Sequence, residues 1–162
     1  MNAIDDTPTS EARSLTDQVW RDLHEPLRRF CAVVVGPSDA DDLAAETFLR
    51  CRERIMSGQV RNPRSYLFRS AVNAAQNMRR SRARESRRTV RVAAPPLEGE
   101  RPHLGHVRDA VRALSPRQRA VLYLAYWEDQ TESQIAETLG LHIGTVRRHV
   151  HRAHQHLRKA LR

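Results

Sequence analysis

The stretch from Thr131 to Arg158, TESQIAETLGLHIGTVRRHVHRAHQHLR, constrains this chain more than any other. It reads as two helices joined by a tight turn. Thr131 can cap the first helix, with Gln134 in the reciprocal slot of a capping box. Ile135, Ala136 and Leu139 form an apolar stripe at helical spacing. Gly140 stands where a left-handed residue ends a helix, and Leu141 follows as an apolar plug. A second helix starts near Gly144-Thr145. Its apolar positions Val146, Val150, Ala153, Leu157 and Leu161 share one face, opposite Arg147, Arg148, His151, Arg152 and Arg158. This is the pattern of a helix-turn-helix, whose second helix enters the major groove of DNA. The plainer reading is a helical hairpin with a solvated basic face. No acidic residue occurs after Glu137, so the face lacks the mixed charge expected of a merely soluble helix.

The whole chain points to the same kind of partner. It has 162 residues, a net charge of +9 and a pI near 11.0, which favours a polyanion. Its length allows one medium domain or two small ones. There are only 6 glycines, strand-like alternation is scarce, and long runs rich in Ala, Leu, Arg and Glu predict an all-α protein. Lys159 is the single lysine. Arginine suits bidentate phosphate and guanine contacts, although a GC-rich genome would give the same bias. The two cysteines, Cys31 and Cys51, have no metal-ligand spacing and read as free thiols of a reducing compartment. The N-terminus has no apolar signal core and no segment approaches membrane-spanning length, so no membrane insertion and a cytoplasmic location are expected.

Taken in order, residues 1–14 are polar and are expected to fray. A helix is predicted from Leu15 to about Val35, broken or kinked near Glu25 by Pro26, with Val19, Leu23, Leu27, Phe30 and Val34 inward. Ser38 or Asp39 is expected to cap the next helix, which carries Leu43, Phe48, Cys51 and Ile55 as core positions and an acidic first turn that suits the helix dipole. After Asn62-Pro63 a third helix buries Tyr66, Leu67, Ala71, Ala74 and Met78 and grows steadily more basic, through Arg79, Arg80, Arg82, Arg84, Arg87, Arg88 and Arg91. Pro95-Pro96, Gly99, Pro102 and Gly105 mark residues 89–105 as a flexible linker. The expected architecture is therefore two small helical domains, 15–88 and 106–162, with a protease-sensitive segment between them. The second domain opens with a short helix, His106 to Leu114. A helix capped by Ser115, with Pro116 at its first position and Gln118 in the capping box, comes next.

Two of these segments, in this order and on either side of a linker, resemble a bacterial sigma factor of the extracytoplasmic-function (ECF) class. DADDLAAETFLRCRE (39–53) is similar to that family's polymerase-binding helix, and NPRSYLFRSAVNAAQNMRRSRAR (62–84) to its minus-ten element. The segment 114–161 looks like sigma region 4, and the first half like sigma region 2. Several positions depart from the usual pattern. Ala45 stands where glutamine is usual, Arg52 and Tyr66 where tryptophan is common, Asn77 where many members have aspartate, and His149 and His154 where arginine is frequent.

The resemblance implies a specificity subunit rather than an enzyme, with no catalytic residues, no cofactor and no metal. Its implied partners are core RNA polymerase and promoter DNA, with an anti-sigma factor as a further partner the class allows. Asp41, Asp42, Leu43, Glu46, Phe48 and Arg50 become the candidates for polymerase binding, although dipole compensation and core packing account for part of this set. Asn73 and Asn77 lie four apart on one helical face, and amides can read the edge of an unstacked base. Together with Arg79 and Arg80 they are the minus-ten candidates. Thr145, Arg147, Arg148, His151 and Arg152 are the minus-thirty-five candidates. Leu122, Tyr126 and Trp127 form either a grip on a polymerase flap helix or plain core.

The alternative is a helix-turn-helix regulator that does not act as a sigma subunit. It would need neither the acidic helix nor the Asn/Arg helix. A recombinase would need an ordered nucleophile, and Ser10 and Ser14 lie in the polar tail. His151 and His154 are three apart, as metal ligands on a helix could be, yet no carboxylate or cysteine lies nearby in sequence.

Overall fold

A computed structural model describes residues 10–88 and 102–161, with side chains described for 17–86 and 105–161. Among the described residues the chain is all α, with seven helices and no strand. The first unit holds α1 (Ser10–Val35), α2 (Pro37–Met56) and α3 (Pro63–Arg88). The second holds α4 (Pro102–Ala113), α5 (Pro116–Tyr126), α6 (Glu132–Leu139) and α7 (Ile143–Ala160).

Several local expectations are corrected. Of the break or kink expected at Pro26, the break is absent, because α1 runs through it. A proline inside a helix costs about 3 kcal/mol. The turn after it is held by Leu27, Phe30 and Val34, each 1 % exposed or less, and each such burial stabilises by about 1.5–3 kcal/mol. The cap of α2 is Gly36, at φ 104°, rather than Ser38 or Asp39. Pro37 is set by its fixed φ to begin the helix, which leaves Asp39 free to bind Arg82 of α3 at 2.9 Å. Finally, α4 begins at Pro102, inside the stretch read as linker, of which residues 89–101 lie outside the described part.

α1 also begins earlier than expected, at Ser10 rather than Leu15, inside the stretch expected to fray, whereas the starts of α3, α5 and α6 follow the sequence signals. Asn62 Oδ1 accepts from the Ser65 amide at 3.0 Å at the head of α3. Both capping boxes form. The Gln118 amide donates to Ser115 Oγ at 3.2 Å and the Ser115 amide to Gln118 Oε1 at 2.8 Å. The corresponding distances at Thr131 and Gln134 are 3.3 and 2.8 Å.

The two units share one continuous core. Phe30 of α1 stacks on Phe68 of α3 with ring centroids 4.2 Å apart, and Tyr123 of α5 meets Phe30 edge-on at 5.5 Å. Around this cluster Arg64 of α3 pairs with Glu128, which also accepts a hydrogen bond from the Tyr123 hydroxyl at 3.2 Å. Burial and the Glu128 carboxylate push the Tyr123 hydroxyl up to about 12. Arg119 Nη1 reaches the Val33 carbonyl at 3.5 Å. Cys31 and Cys51 are buried free thiols, and burial pushes Cys31 up to about 12, so it is an inert core residue.

Candidate nucleic-acid and polymerase interfaces

The helix-turn-helix is built as its residues dictate. Gly140 ends α6 at φ 62°, ψ 42°, the left-handed conformation that a side chain would strain. Val146 and Ala153 are fully buried and fix the phase of α7, with Val150 and Leu157 half-buried on the same face. That phase exposes Arg147, Arg148, His151, Arg152 and Arg158, while Thr145 is half-buried. His142 caps the helix through its side chain, Nδ1 accepting from the Gly144 amide at 3.1 Å. The structure adds a contact absent from the sequence reading. Arg147 Nε donates to Glu132 Oε2 of α6 at 2.7 Å. This partner lies fifteen residues away across the turn, outside any helical spacing rule.

The histidines divide by environment. His149 is half-buried, and burial, then Arg117, Arg148 and Arg152, lower its pKa below the ordinary range, so it is neutral near pH 7. His154 Nε2 lies 2.8 Å from the Tyr126 hydroxyl and ties α7 to the end of α5. No cluster of three metal-ligating side chains gathers among the described residues.

On α3, Ala71, Val72, Ala74 and Ala75 are buried, which turns Asn73 and Asn77 outward with Arg79 and Arg80. Asn77, Arg80, Ala83 and Arg84 line an open hollow of about 500 Å³. A second hollow, of about 380 Å³, lies between the α2–α3 connection and α6. Arg54, Arg61 and Arg69 face it beside Asn62 and Tyr66, with Glu137 contributing the carboxylate. The sequence reading missed it because its walls come from segments far apart in the chain.

The acidic helix α2 needs a correction. Asp41, Asp42, Glu46 and Arg50 are exposed, Arg50 paired with Glu46 and Asp41 lying 4.0 Å from Arg28. Leu43 and Phe48, 2 % and 7 % exposed, are packed into the core and present no surface to a partner. The exposed apolar positions are Ala45 and Leu49, the latter 65 % exposed. The spacing Asp41, Ala45, Leu49 is one helical face and carried that signal. At the end of α5, Tyr126 and Trp127 are 67 % and 69 % exposed, which makes them surface rather than core, while Leu122 is half-buried.

Comparison with known proteins accounts for this pairing of surfaces. Residues 19–85 match the family described as Sigma-70 region 2, and residues 105–157 that described as Sigma-70, region 4. The chain is 30 % identical to the RNA polymerase sigma-E factor of Streptomyces coelicolor over 139 residues, which is 83 % of this chain and 78 % of that one. This chain belongs to the ECF class of RNA polymerase sigma factors. The ferric citrate uptake sigma factor FecI of Escherichia coli is also 30 % identical, over 73 % of each chain. The sigma factor RpoE of Bartonella quintana, solved with the anti-sigma factor NepR, has the same fold, with a TM-score of 0.66 at 24 % identity over 90 % of this chain and 95 % of that one. Sigma region 2 thus comprises α1–α3, and region 4 comprises the helices from α4 onward. As a sigma factor the protein is a transcription initiation factor that directs core RNA polymerase to promoters. No helix among the described residues is long and apolar enough to cross a membrane.

Proposed function

We propose that the three exposed surfaces divide the work of promoter recognition. The observation that carries this reading is the outer face of α7. It sets Arg147, Arg148, His151 and Arg152 outward on a helix with no carboxylate of its own, while Val146 and Ala153 lock its rotation. A helix so presented fits the major groove, where arginine binds guanine O6 and N7 with two hydrogen bonds. These residues, with Thr145, read the minus-thirty-five element.

Region 2 supplies the other two surfaces. Asp41, Asp42, Glu46 and Arg50, with Ala45 and Leu49 between them, form the mixed charged and apolar face that docks on core polymerase. Asn73 and Asn77 accept and donate to the edges of unstacked bases in the minus-ten element, and Arg79 and Arg80 neutralise its phosphates. Leu43 and Phe48 act only by holding α2 in place. The chain does no covalent chemistry itself, uses no cofactor and works in the cytoplasm with the polymerase. The functional units correspond to residues 15–88 and 106–162, and an anti-sigma factor is a further partner of the same surfaces. The exposed acidic face of α2 favours this over a helix-turn-helix regulator that does not act as a sigma subunit.

The test is transcription in vitro by core polymerase with and without the chain on a promoter library. Arg147→Ala and Arg148→Ala should each relax preference at a base pair by about 1–3 kcal/mol, whereas Arg158→Ala should weaken all promoters alike and reduce the salt dependence. Uniform loss in all three would make α7 a basic clamp rather than a reader. No defined start site with wild-type protein would refute the assignment.

A further inference from the structure

Among the described residues of the outer face of α7, Arg147 is the one that a carboxylate holds, and that carboxylate comes from a different helix. The pair is exposed, with side chains 64 % and 43 % accessible for Arg147 and Glu132, so it contributes little to folding stability. Its geometry suits another purpose. Glu132 sits in the first turn of α6, whose start is fixed by the Thr131–Gln134 capping box and whose inner face is anchored by Ile135 and Leu139. Val146, beside Arg147 in the chain, is fully buried, so the backbone of Arg147 is fixed as well. What stays free is the long arginine side chain. Glu132 takes the Nε hydrogen, which leaves the Nη1 and Nη2 edge as a pre-set fork for a base.

We propose that Glu132 is a positioning residue that orients Arg147 for a guanine of the promoter and so sets specificity at that base pair. The inference rests on the reading of α7 as the minus-thirty-five reader. Ordering the fork before binding removes part of the rotamer entropy lost on contact. The adjacent negative charge also lowers the attraction of Arg147 for phosphates of any sequence, so the side chain adds selectivity rather than general affinity. A carboxylate that merely happens to lie near the DNA would act differently, by repelling all phosphates equally.

The experiment uses holoenzyme assembled from core polymerase and the full chain, with promoters in which each base pair of the minus-thirty-five element is varied in turn. Arg147→Ala should flatten discrimination at one base pair by about tenfold. Glu132→Ala should flatten the same base pair several-fold, and the double variant should lose no more than Arg147→Ala alone. Glu132→Gln keeps an acceptor for Nε and should retain most of the discrimination. The proposal is overturned if Glu132→Ala leaves discrimination at the base pair read by Arg147 unchanged, including where it tightens every promoter by one common factor. If Arg147→Ala alters no base pair while wild-type holoenzyme still discriminates, Glu132 has nothing to position and the proposal falls, but the sigma reading stands. Failure of the wild type to select any minus-thirty-five sequence removes both.

Discussion

Gly140 joins two features that one substitution can separate. Its φ of 62° is required by the turn of the helix-turn-helix, and its open α-carbon receives the side chain of Arg69 from region 2. A Cβ at this position would lie 2.6 Å from Arg69 Nη1 and 2.9 Å from its Cδ. Gly140→Ala therefore carries two costs. The left-handed conformation costs an alanine about 1 kcal/mol. Arg69 must also swing away, and its contact over the Tyr66 ring, 5.9 Å from the centroid, is worth about 0.5–1 kcal/mol. We expect about 1.5–2 kcal/mol in all, and about 1 kcal/mol for the same substitution in an Arg69→Ala background. Urea unfolding of the four proteins, with slopes compared as well as midpoints, gives the coupling directly. A Gly140→Ala cost that is the same in both backgrounds would show that α3 and the turn of region 4 do not touch in solution. Gly140→Asn, which tolerates the left-handed region better than alanine, should lose less than Gly140→Ala wherever strain dominates.

Charge reversal at Asp41 and Asp42 should weaken capture of the chain by core polymerase in a pull-down while leaving its helical circular dichroism unchanged, and full capture would remove α2 from the interface. Asn73→Ala and Asn77→Ala should reduce permanganate reactivity of the melted promoter more than they reduce initial binding, and normal reactivity in both would exclude them as minus-ten readers. Tyr123 holds its proton more tightly folded than unfolded, so its contribution is present below about pH 10 and is lost as pH rises toward about 12. Tyr123→Phe should forgo that alkaline loss and, at neutral pH, cost about 1 kcal/mol through the missing hydrogen bond to Glu128. Identical alkaline unfolding of the variant and the wild type would place the responsible group elsewhere.

Local grammar made much of this fold readable. Capping boxes at Ser115 and Thr131, Gly140 at a helix end and the four-and-three spacing of Val146, Val150 and Ala153 are decided within a few residues of chain, so the helix-turn-helix was legible in outline and in phase. Features that depend on distant residues were not. Pro26 looks like a breaker until the burial of Leu27, Phe30 and Val34 is known. Phe48 looks like a docking residue until its neighbour Leu49 is seen to be the exposed one. The pairs Arg64–Glu128 and Arg147–Glu132 and the hollow between Arg54, Arg69 and Glu137 each join segments that no periodicity links. The Pro/Gly-rich stretch suggested separate domains, and nothing in its composition revealed that Phe30 and Tyr123 would meet.

That meeting of Phe30 and Tyr123 sets a question of reach. A chain of this length in compact form has a radius of gyration of about 15 Å, hence a diameter near 40 Å. Elements at minus ten and minus thirty-five stand roughly 25 base pairs apart, about 85 Å along B-form DNA. With its core shared, the molecule is too short a ruler for the promoter. Fully extended, the chain between Arg88 and Pro102 spans at most about 50 Å, enough to let the two regions part and straddle the site. The same seam holds an attraction and a half-buried cation, because Arg64 and Glu128 pair across it while burial, and after it the nearby Arg79, lowers the pKa of Arg119.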